Sequence, residues 1–326
     1  MNSSSNFLKI LGIHNQKYIE IEPKSFSKVI VSGTTEGYGY LSHMEKIFNV
    51  VNKENINAIV DGFIPDNSVM RLPNEQVFYN PALSFWFVWN VLWKDNNKSC
   101  QEFLDLHKNN INNILNTDKK RKTKFVSLNR NLKTGREIFI ESITQEFIDE
   151  NWITGHFSDR NNLKNDKLVN DDFKHFYILI FKHLKNSGYI QPFFESSGLN
   201  DGLTDKMLMI TEKSCIPFLL GNIAIPMNLF YVSEYEKLGF KFVKNINGVS
   251  INETIDWNCN MDIDYPKKWL KEQIEKILLI NKNNSLQDIE KVYNDNIDII
   301  QHNQKLVKNL MTDNSVMDKL KHWIEK

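Results

Sequence analysis

Two short segments in the second half of the chain carry residue types suited to phosphate chemistry. In the segment NRNLKTGRE, Arg130 and Arg136 lie on either side of a turn, where guanidinium groups can grip phosphate oxygens. In the other segment, Thr211, Glu212 and Lys213 begin a helix. The free N–H groups of that first turn and the ammonium of Lys213 can neutralise a diphosphate, while Glu212 can accept hydrogen bonds from ribose hydroxyls. Together the segments predict a nucleotide diphosphate site.

A third polar segment ends a predicted strand. YIQPFFESS begins apolar and ends acidic, which suits a strand that delivers Glu195 and Ser196 to the carboxyl edge of a sheet. Ligands of open α/β sheets bind at that edge. Each segment also has a purely structural interpretation, since lone arginines are often solvated, Thr211 can serve as a cap alone and Glu195 can be a surface acid. Their joint occurrence favours binding.

The elements that position these segments follow the order of parallel α/β sheets. In the first half, a strand, the loop GTTEGYG, a helix and another strand follow one another, which is a βαβ pattern. The second half repeats the theme and ends in a long helical pattern from Pro266 onward. Strands are predicted at 17–22, 28–32, 57–63, 124–128, 152–158, 189–197 and 223–227, and helices at 41–53, 77–93, 100–115, 136–150, 173–185, 212–221 and 228–240.

The length of the chain indicates how many domains it forms. A chain of 326 residues exceeds the usual size of one core. We predict an N-terminal domain over 1–120, a nucleotide-binding domain over 121–275 and C-terminal helices over 276–326. The basic run TDKKRKTK (117–124) is predicted to be a solvated linker between the first two.

Charge and cysteine content narrow the class of protein. Lys plus Arg and Asp plus Glu balance at 40 each, so no overall basic field attracts a polyanion. The three cysteines form no CxxC pair and predict reduced thiols in a cytoplasmic protein. The N-terminal stretch has no basic segment followed by a long apolar one, so neither a secretory signal nor a membrane anchor is expected. The aromatic stretch 77–93 is too short for a comfortable membrane span and predicts a buried helix.

The succession LNRNLKTGRE, FFESS, ITEKSCIPFLLGNIAIPM, KLGFKF and DIDYP resembles a known family. It is similar to the donor-binding domain of GT-B glycosyltransferases related to the α1,3-fucosyltransferases, especially their viral and bacterial relatives. The likeness covers about residues 124–275, and Ile210–Pro226 is its most specific part. The first half matches only in architecture, and the insert NDGLTDKM (200–207) departs from the family pattern.

The resemblance implies an α/β fold of GT-B architecture, in which two Rossmann-like domains face a cleft and a helical C-terminal tail follows. The second domain would hold a nucleotide-diphosphate sugar as co-substrate. Arg136 and Lys213 would contact the diphosphate, Glu212 the ribose, and Arg130 would be a further phosphate partner. Fucose and other sugars are both compatible with the likeness.

An inverting transfer also needs a base that accepts the proton of the acceptor hydroxyl. Glu36, in the loop after a strand of the first half, is the predicted base, with Asp61 at the next strand end and His43 as competitors. The triplet Asp262-Ile263-Asp264 has the form of a metal-binding DxD motif but lies in the acidic aromatic segment of the family pattern. We interpret it as structural, and predict no metal and no cofactor.

The sequence thus predicts a glycosyltransferase whose acceptor is a glycan hydroxyl. A transferase acting on modified viral or phage DNA is a less favoured alternative. A nucleotide-binding module of the same fold without turnover, and an epimerase of the same architecture, are further alternatives.

Overall fold

The computed structural model describes part of the chain. The described residues are 9–12, 28–32, 57–61, 76–77, 100–116, 121–127, 135, 138, 139, 141–143, 188–194, 212–229, 231–255 and 265–312. The chain forms two compact units. The first comprises Met1–Asp105, Ser196–Glu212 and Leu310–Lys326, and the second comprises Leu106–Glu195 and Lys213–Asn309.

The first unit contains a parallel sheet of four strands, in the order β1, β2, β3, β4. These are β1 (Lys9–Gly12), β2 (Lys28–Ser32), β3 (Asn57–Asp61) and β4 (Gln76–Val77). The β-branched runs of β2 and β3 favour extended backbone, and their predicted strands and parallel pairing are confirmed. β1 and β4 were not predicted, because both are short and lack a clear alternating pattern.

The second unit contains a parallel sheet of three strands, β5 (Thr123–Phe125), β6 (Gly188–Phe193) and β7 (Ile223–Pro226). β6 lies in the middle and is buried along its whole length. Pro192 in β6 has no N–H to donate, so the ladder with β5 stops there. Instead, the Ser127 hydroxyl donates to the Pro192 carbonyl at 3.3 Å. Strands are present at all three predicted positions, but β5 and β6 end at Phe125 and Phe193, earlier than the predicted ends at 128 and 197.

Helices and one hairpin surround this sheet. They are α1 (Cys100–Asn116), α2 (Glu212–Leu219), α3 (Tyr231–Lys237), α4 (Tyr265–Asn283), α5 (Leu286–Asp295), α6 (Ile297–Thr312), and the hairpin of β8 (Asn245–Ile246) and β9 (Val249–Ser250). Residues 135, 138, 139 and 141–143 are also helical. The helical pattern predicted from Pro266 onward is present in α4, α5 and α6.

The β8–β9 hairpin was missed by the sequence analysis although its signal is strong. Asn247 and Gly248 have φ values of 45° and 89°. Positive φ at both central positions is what a two-residue hairpin turn requires, and Asn-Gly is its commonest sequence. The Asn245 side chain accepts a hydrogen bond from the Gly248 N–H at 2.8 Å.

The core of the second unit forms between its sheet and its helices. Apolar residues of α4, α5 and α6 point inward and are almost fully buried, among them Leu270, Ile277, Ile280, Ile289, Ile300 and Val307. Their spacing of three, four or seven residues gives each helix one apolar face. The C-terminal helices therefore stabilise the same sheet from which the predicted binding segments extend.

Candidate functional site

The carboxyl ends of β5, β6 and β7 lie at one edge of the second sheet. The strands are parallel, with Phe125 paired to Ile190 and Phe193 paired to Pro226. The segment with Arg130 and Arg136 follows β5 in sequence, and the segment with Glu195 and Ser196 follows β6. The strand ends that precede these segments thus lie at the carboxyl edge, where α/β sheets bind ligands.

The side chains of the predicted site lie outside the described residues. This applies to Arg130, Arg136, Glu195, Ser196, Thr211 and Glu36 entirely, and to the side chains of Glu212, Lys213 and Asp61. The strand predicted at 17–22, the helix at 77–93 after Val77 in β4, and the Asp262 to Asp264 triplet also fall largely or wholly outside them. Whether Arg136 and Lys213 share a pocket stays a prediction.

The backbone nevertheless defines where α2 begins and ends. Glu212 and Lys213 are the first two residues of α2, and the helix joins β7 through a three-residue turn, 220–222. β6 and β7 are adjacent and parallel, so the connection between them must return from the carboxyl edge to the amino edge. In such a crossover the helix N-terminus, here with Lys213, points toward the carboxyl edge.

A cluster of aromatic rings holds the body of α2. The ring of Phe218 lies 4.5 Å from that of Phe240, 5.5 Å from Tyr235 and 5.8 Å from Phe242, measured between centroids. Phe193 at the end of β6 lies 6.2 Å away. The contacts with Phe242 and Phe193 are edge-to-face, and the other two are tilted. Edge-to-face pairs add about 0.5–1.5 kcal/mol each to the burial of the rings.

The C-terminus of α2 is closed by backbone and side-chain hydrogen bonds. The Gly221 N–H donates to Phe218 and the Asn222 N–H donates to Pro217, which is the Schellman arrangement with a left-handed glycine. Gly221 has φ of 67°. The Gln304 amide of α6 donates to the Leu219 carbonyl at 3.2 Å.

Arg121 satisfies the remaining carbonyls at this helix end. Its Nη2 donates to the carbonyls of Leu220, at 3.2 Å, and Gly221, and to the Tyr293 hydroxyl at 2.9 Å. The guanidinium carbon lies 4.5 Å from the centroid of the Tyr293 ring and 5.7 Å from that of Tyr189. A cation at this position also suits the negative end of the helix dipole.

Burial shifts the pKa values of Arg121 and Tyr189. Burial lowers the pKa of the Arg121 guanidinium, and the neighbouring Tyr293 and Tyr189 oppose that change. Burial also raises the pKa of the Tyr189 hydroxyl, assisted by its hydrogen bond to Glu290. Arg121 remains charged at neutral pH because a guanidinium group keeps its proton in proteins.

The prediction that residues 117–124 form a solvated linker is wrong for Arg121 and Lys124. Lys124 Nζ donates to the carbonyls of Asn281 and Asn284 at 2.9 and 3.1 Å, at the end of α4. Lys122, between them, is exposed. Thr123 is half-buried, like Arg121 and Lys124, so exposure within the charged run follows no strand period.

Two buried polar contacts stabilise the interior of the sheet. The Asn222 amide donates to the side-chain oxygen of Gln191 at 2.7 Å. Asn252, with φ of 52°, donates to the carbonyls of Ala224 and Val243, both at 3.0 Å. The Asn252 amide thus bonds one carbonyl of β7 that a further strand would otherwise satisfy.

In the first unit, the register relates two predicted candidates for the base. Ser32, the last residue of β2, is the partner of Asp61, the last residue of β3. Ser32 and Asp61 thus end neighbouring strands at the carboxyl edge of the first sheet. Glu36 lies outside the described residues, and its position beside Asp61 stays a prediction.

Metal ligands and membrane spans were also sought among the described residues. No group of three His, Cys, Asp or Glu side chains there is arranged to hold a metal ion. Each described helix is too short or too polar to cross a bilayer. Comparisons of the chain with protein-family models, curated proteins and solved structures find no match.

Proposed function

We propose that this chain is a glycosyltransferase that moves a sugar from a nucleotide-diphosphate donor to a hydroxyl group of a glycan, with inversion and without a metal. One observation carries the proposal: the parallel order of β5, β6 and β7, with α2 leading into β7. In a sheet of this order, we expect two polar segments and one helix N-terminus at a single edge. The residue types at that edge match what a pyrophosphate leaving group requires.

In the proposed reaction, the acceptor oxygen attacks the anomeric carbon of the donor sugar. The bond from that carbon to the diphosphate oxygen breaks, and its electron pair leaves with the nucleoside diphosphate. Lys213, Arg130 and Arg136 would stabilise the negative charge that develops on the leaving group. Glu212 would bind the ribose hydroxyls, and Glu195 and Ser196 would line the same edge.

The proton of the acceptor hydroxyl passes to a carboxylate base. Glu36 is the proposed base and Asp61 the alternative, and the pairing of Ser32 with Asp61 supports treating them as neighbouring candidates. A carboxylate that takes this proton lowers the barrier by general base catalysis, typically by a factor of about 10² to 10⁴.

Donor binding and donor consumption test the proposal. The full-length protein is titrated with a panel of nucleoside diphosphates and nucleotide sugars by thermal shift, and release of nucleoside diphosphate is then followed with and without glycan acceptors. Lys213→Ala is expected to weaken donor binding at least tenfold, about 1.4 kcal/mol. Lys267→Ala is the matched control, because Lys267 is an exposed lysine in the first turn of α4.

The outcomes separate the proposal from other activities. Equal donor affinity in the Lys213 and Lys267 variants would remove Lys213 from the site. Binding without any nucleotide release would indicate a non-catalytic module, a changed sugar without acceptor would indicate an epimerase, and transfer only to DNA would replace the glycan acceptor. Glu36→Gln should lower turnover and leave donor affinity unchanged, and if turnover persists Asp61→Asn is tested next.

A further inference from the structure

Two basic residues three positions apart in the chain each close the end of a different helix. Arg121 closes α2, the helix whose other end carries Lys213, and Lys124 closes α4. Only the first of these helices leads to the proposed donor site. Arg121 and Lys124 can therefore be compared within one protein, since Arg121 holds a helix that leads to the proposed site and Lys124 holds one that does not.

α2 depends strongly on how its ends are held. It has eight residues and contains Pro217, which cannot donate a hydrogen bond to the carbonyl of Lys213 four residues earlier. Helices this short are not stable alone, so tertiary contacts determine the position of α2. Its described side chains, from Cys215 to Leu219, are all buried.

A small tilt at the C-terminus of α2 becomes a displacement at its N-terminus. Eight residues span roughly 12 Å, so a tilt of about 5° moves the first turn by about 1 Å. A displacement of that size at a site that binds a reacting group can change rates by about a hundredfold. Contacts that fix the C-terminal end therefore also fix where the N–H groups of the first turn point.

Among the residues that contact the C-terminal end of α2, Arg121 is the best suited to fix its position. It joins the chain just before β5 to the α2–β7 turn and to Tyr293 of α5, and it lies near the rings of Tyr189 and Tyr293. Its planar, forked group has a defined orientation in such a setting, whereas an ammonium group does not.

We propose that Arg121 is a positioning residue for the donor diphosphate, acting through α2 by holding the helix end opposite Lys213. The proposal rests on the proposed function of the carboxyl edge. It assigns to a residue at the amino edge of the sheet an effect on ligand affinity, without any contact between Arg121 and the ligand.

The test compares Arg121→Met and Arg121→Lys with Lys124→Met in the full-length protein. All measurements are made where circular dichroism shows each variant to be folded. Arg121→Met should raise the donor KM at least tenfold and leave the acceptor KM within twofold of wild type. Arg121→Lys should recover only part of the loss. Lys124→Met should keep both KM values within twofold of wild type.

Hydrogen exchange provides a readout that needs no ligand. Amide exchange in α2, including its first turn, should be at least tenfold faster in Arg121→Met than in wild type, and should increase less in Lys124→Met. Tyr293→Phe removes only the hydroxyl that accepts from Arg121 and serves as the milder variant if Arg121→Met does not fold. It should raise the donor KM two- to threefold.

Different results overturn the two proposals. If the wild-type protein binds no nucleotide diphosphate, the proposed function fails and the role of Arg121 fails with it. If wild type binds a donor but Arg121→Met and Lys124→Met change donor KM equally, or exchange in α2 is unchanged by Arg121→Met, the positioning role alone is wrong.

Discussion

The C-termini of α2 and α4 are each closed by a basic side chain, but the two side chains and their surroundings differ. Both helix ends leave backbone carbonyls without intrahelical donors, and in both a basic side chain from residues 121–124 supplies donors. α2 turns through Gly221 with positive φ and is closed by a guanidinium that lies against two aromatic rings. α4 is followed by Asn284, whose amide donates to the Ile280 carbonyl at 2.7 Å, and is closed by an ammonium group.

The difference shows how the surroundings select the cation. A guanidinium is flat and weakly hydrated, so it can be buried against rings while its N–H groups reach two successive carbonyls. An ammonium is compact and strongly hydrated, and it suits the more open end of α4. We therefore expect the stability of the α2 end to depend more on its cation than that of the α4 end does.

The largest loss of stability is expected for Arg121→Met. Two carbonyls and the Tyr293 hydroxyl lose a charged donor in a largely buried setting, so the free energy of unfolding should fall by about 3 kcal/mol. Urea unfolding followed by far-UV circular dichroism measures the change. A loss no larger than that of Lys124→Met would contradict the comparison.

A smaller effect is expected for Gly221→Ala. An added Cβ would lie 2.6 Å from Nε2 of Gln304, and the φ of 67° disfavours a side chain. The expected loss is about 2 kcal/mol from backbone strain and displacement of Gln304.

Gly248→Ala is the matched control for that variant. Gly248 also has positive φ, of 89°, but an added Cβ there meets nothing within 4 Å. Strain alone should cost about 1 kcal/mol. If the two alanine variants were equally stable in thermal unfolding, contact with Gln304 would contribute nothing.

Lys124→Met should reduce the free energy of unfolding by about 1.5 kcal/mol. The carbonyls of Asn281 and Asn284 lose their ammonium donor, but water can reach this end because the adjacent Lys282 and Asn283 are exposed. The same urea titration as for Arg121→Met measures it. A loss above that of Arg121→Met would reverse the assignment of the tighter end to α2.

A small loss of stability is expected for a variant at the start of α5, directly after the end of α4. Ser285 and Asp288 form a capping box in which Ser285 donates to the Asp288 carboxylate through its N–H at 2.8 Å and its hydroxyl at 2.7 Å. Ser285→Ala should cost about 1 kcal/mol.

The contribution of Asp288 depends on pH in a defined direction. The hydrogen bonds from Ser285 lower the pKa of the Asp288 carboxyl. A lowered folded-state pKa means that the carboxylate stabilises the fold above its ordinary pKa of about 4, and that this is lost as the pH falls through the folded-state value. The stability difference between wild type and Asp288→Asn should thus shrink below about pH 4, and a difference that grew there would refute the capping role.

Local patterns in the sequence were sufficient for many elements. β2, β6 and β7 follow from runs of β-branched and apolar residues, and α4 to α6 follow from apolar positions that repeat every three or four residues. These signals depend on residues within one or two turns of each other, so they survive whatever the rest of the chain does. The hairpin at Asn247 and Gly248 was not predicted, although the Asn-Gly pair is an equally local signal.

For the candidate site too, local sequence signals predict some features and not others. Residue types and their order after strands predict which segments bind phosphate, and the parallel pairing of β5 to β7 defines the edge from which those segments leave. The distances between the predicted side chains concern residues outside the described part of the chain, so the binding site stays a prediction.

By itself, the sequence determined where the principal strands and helices of the described sheet occur and that charged residues flank them. Only the tertiary structure decided that Arg121 and Lys124, within one basic run, close two helices whose carbonyls lie 99 and 157 residues further along the chain. The physical reason is that a lysine or arginine in a charged run has the same local pattern whether water or a distant carbonyl accepts its hydrogen bonds. Which of the two it meets depends on packing that brings remote segments together.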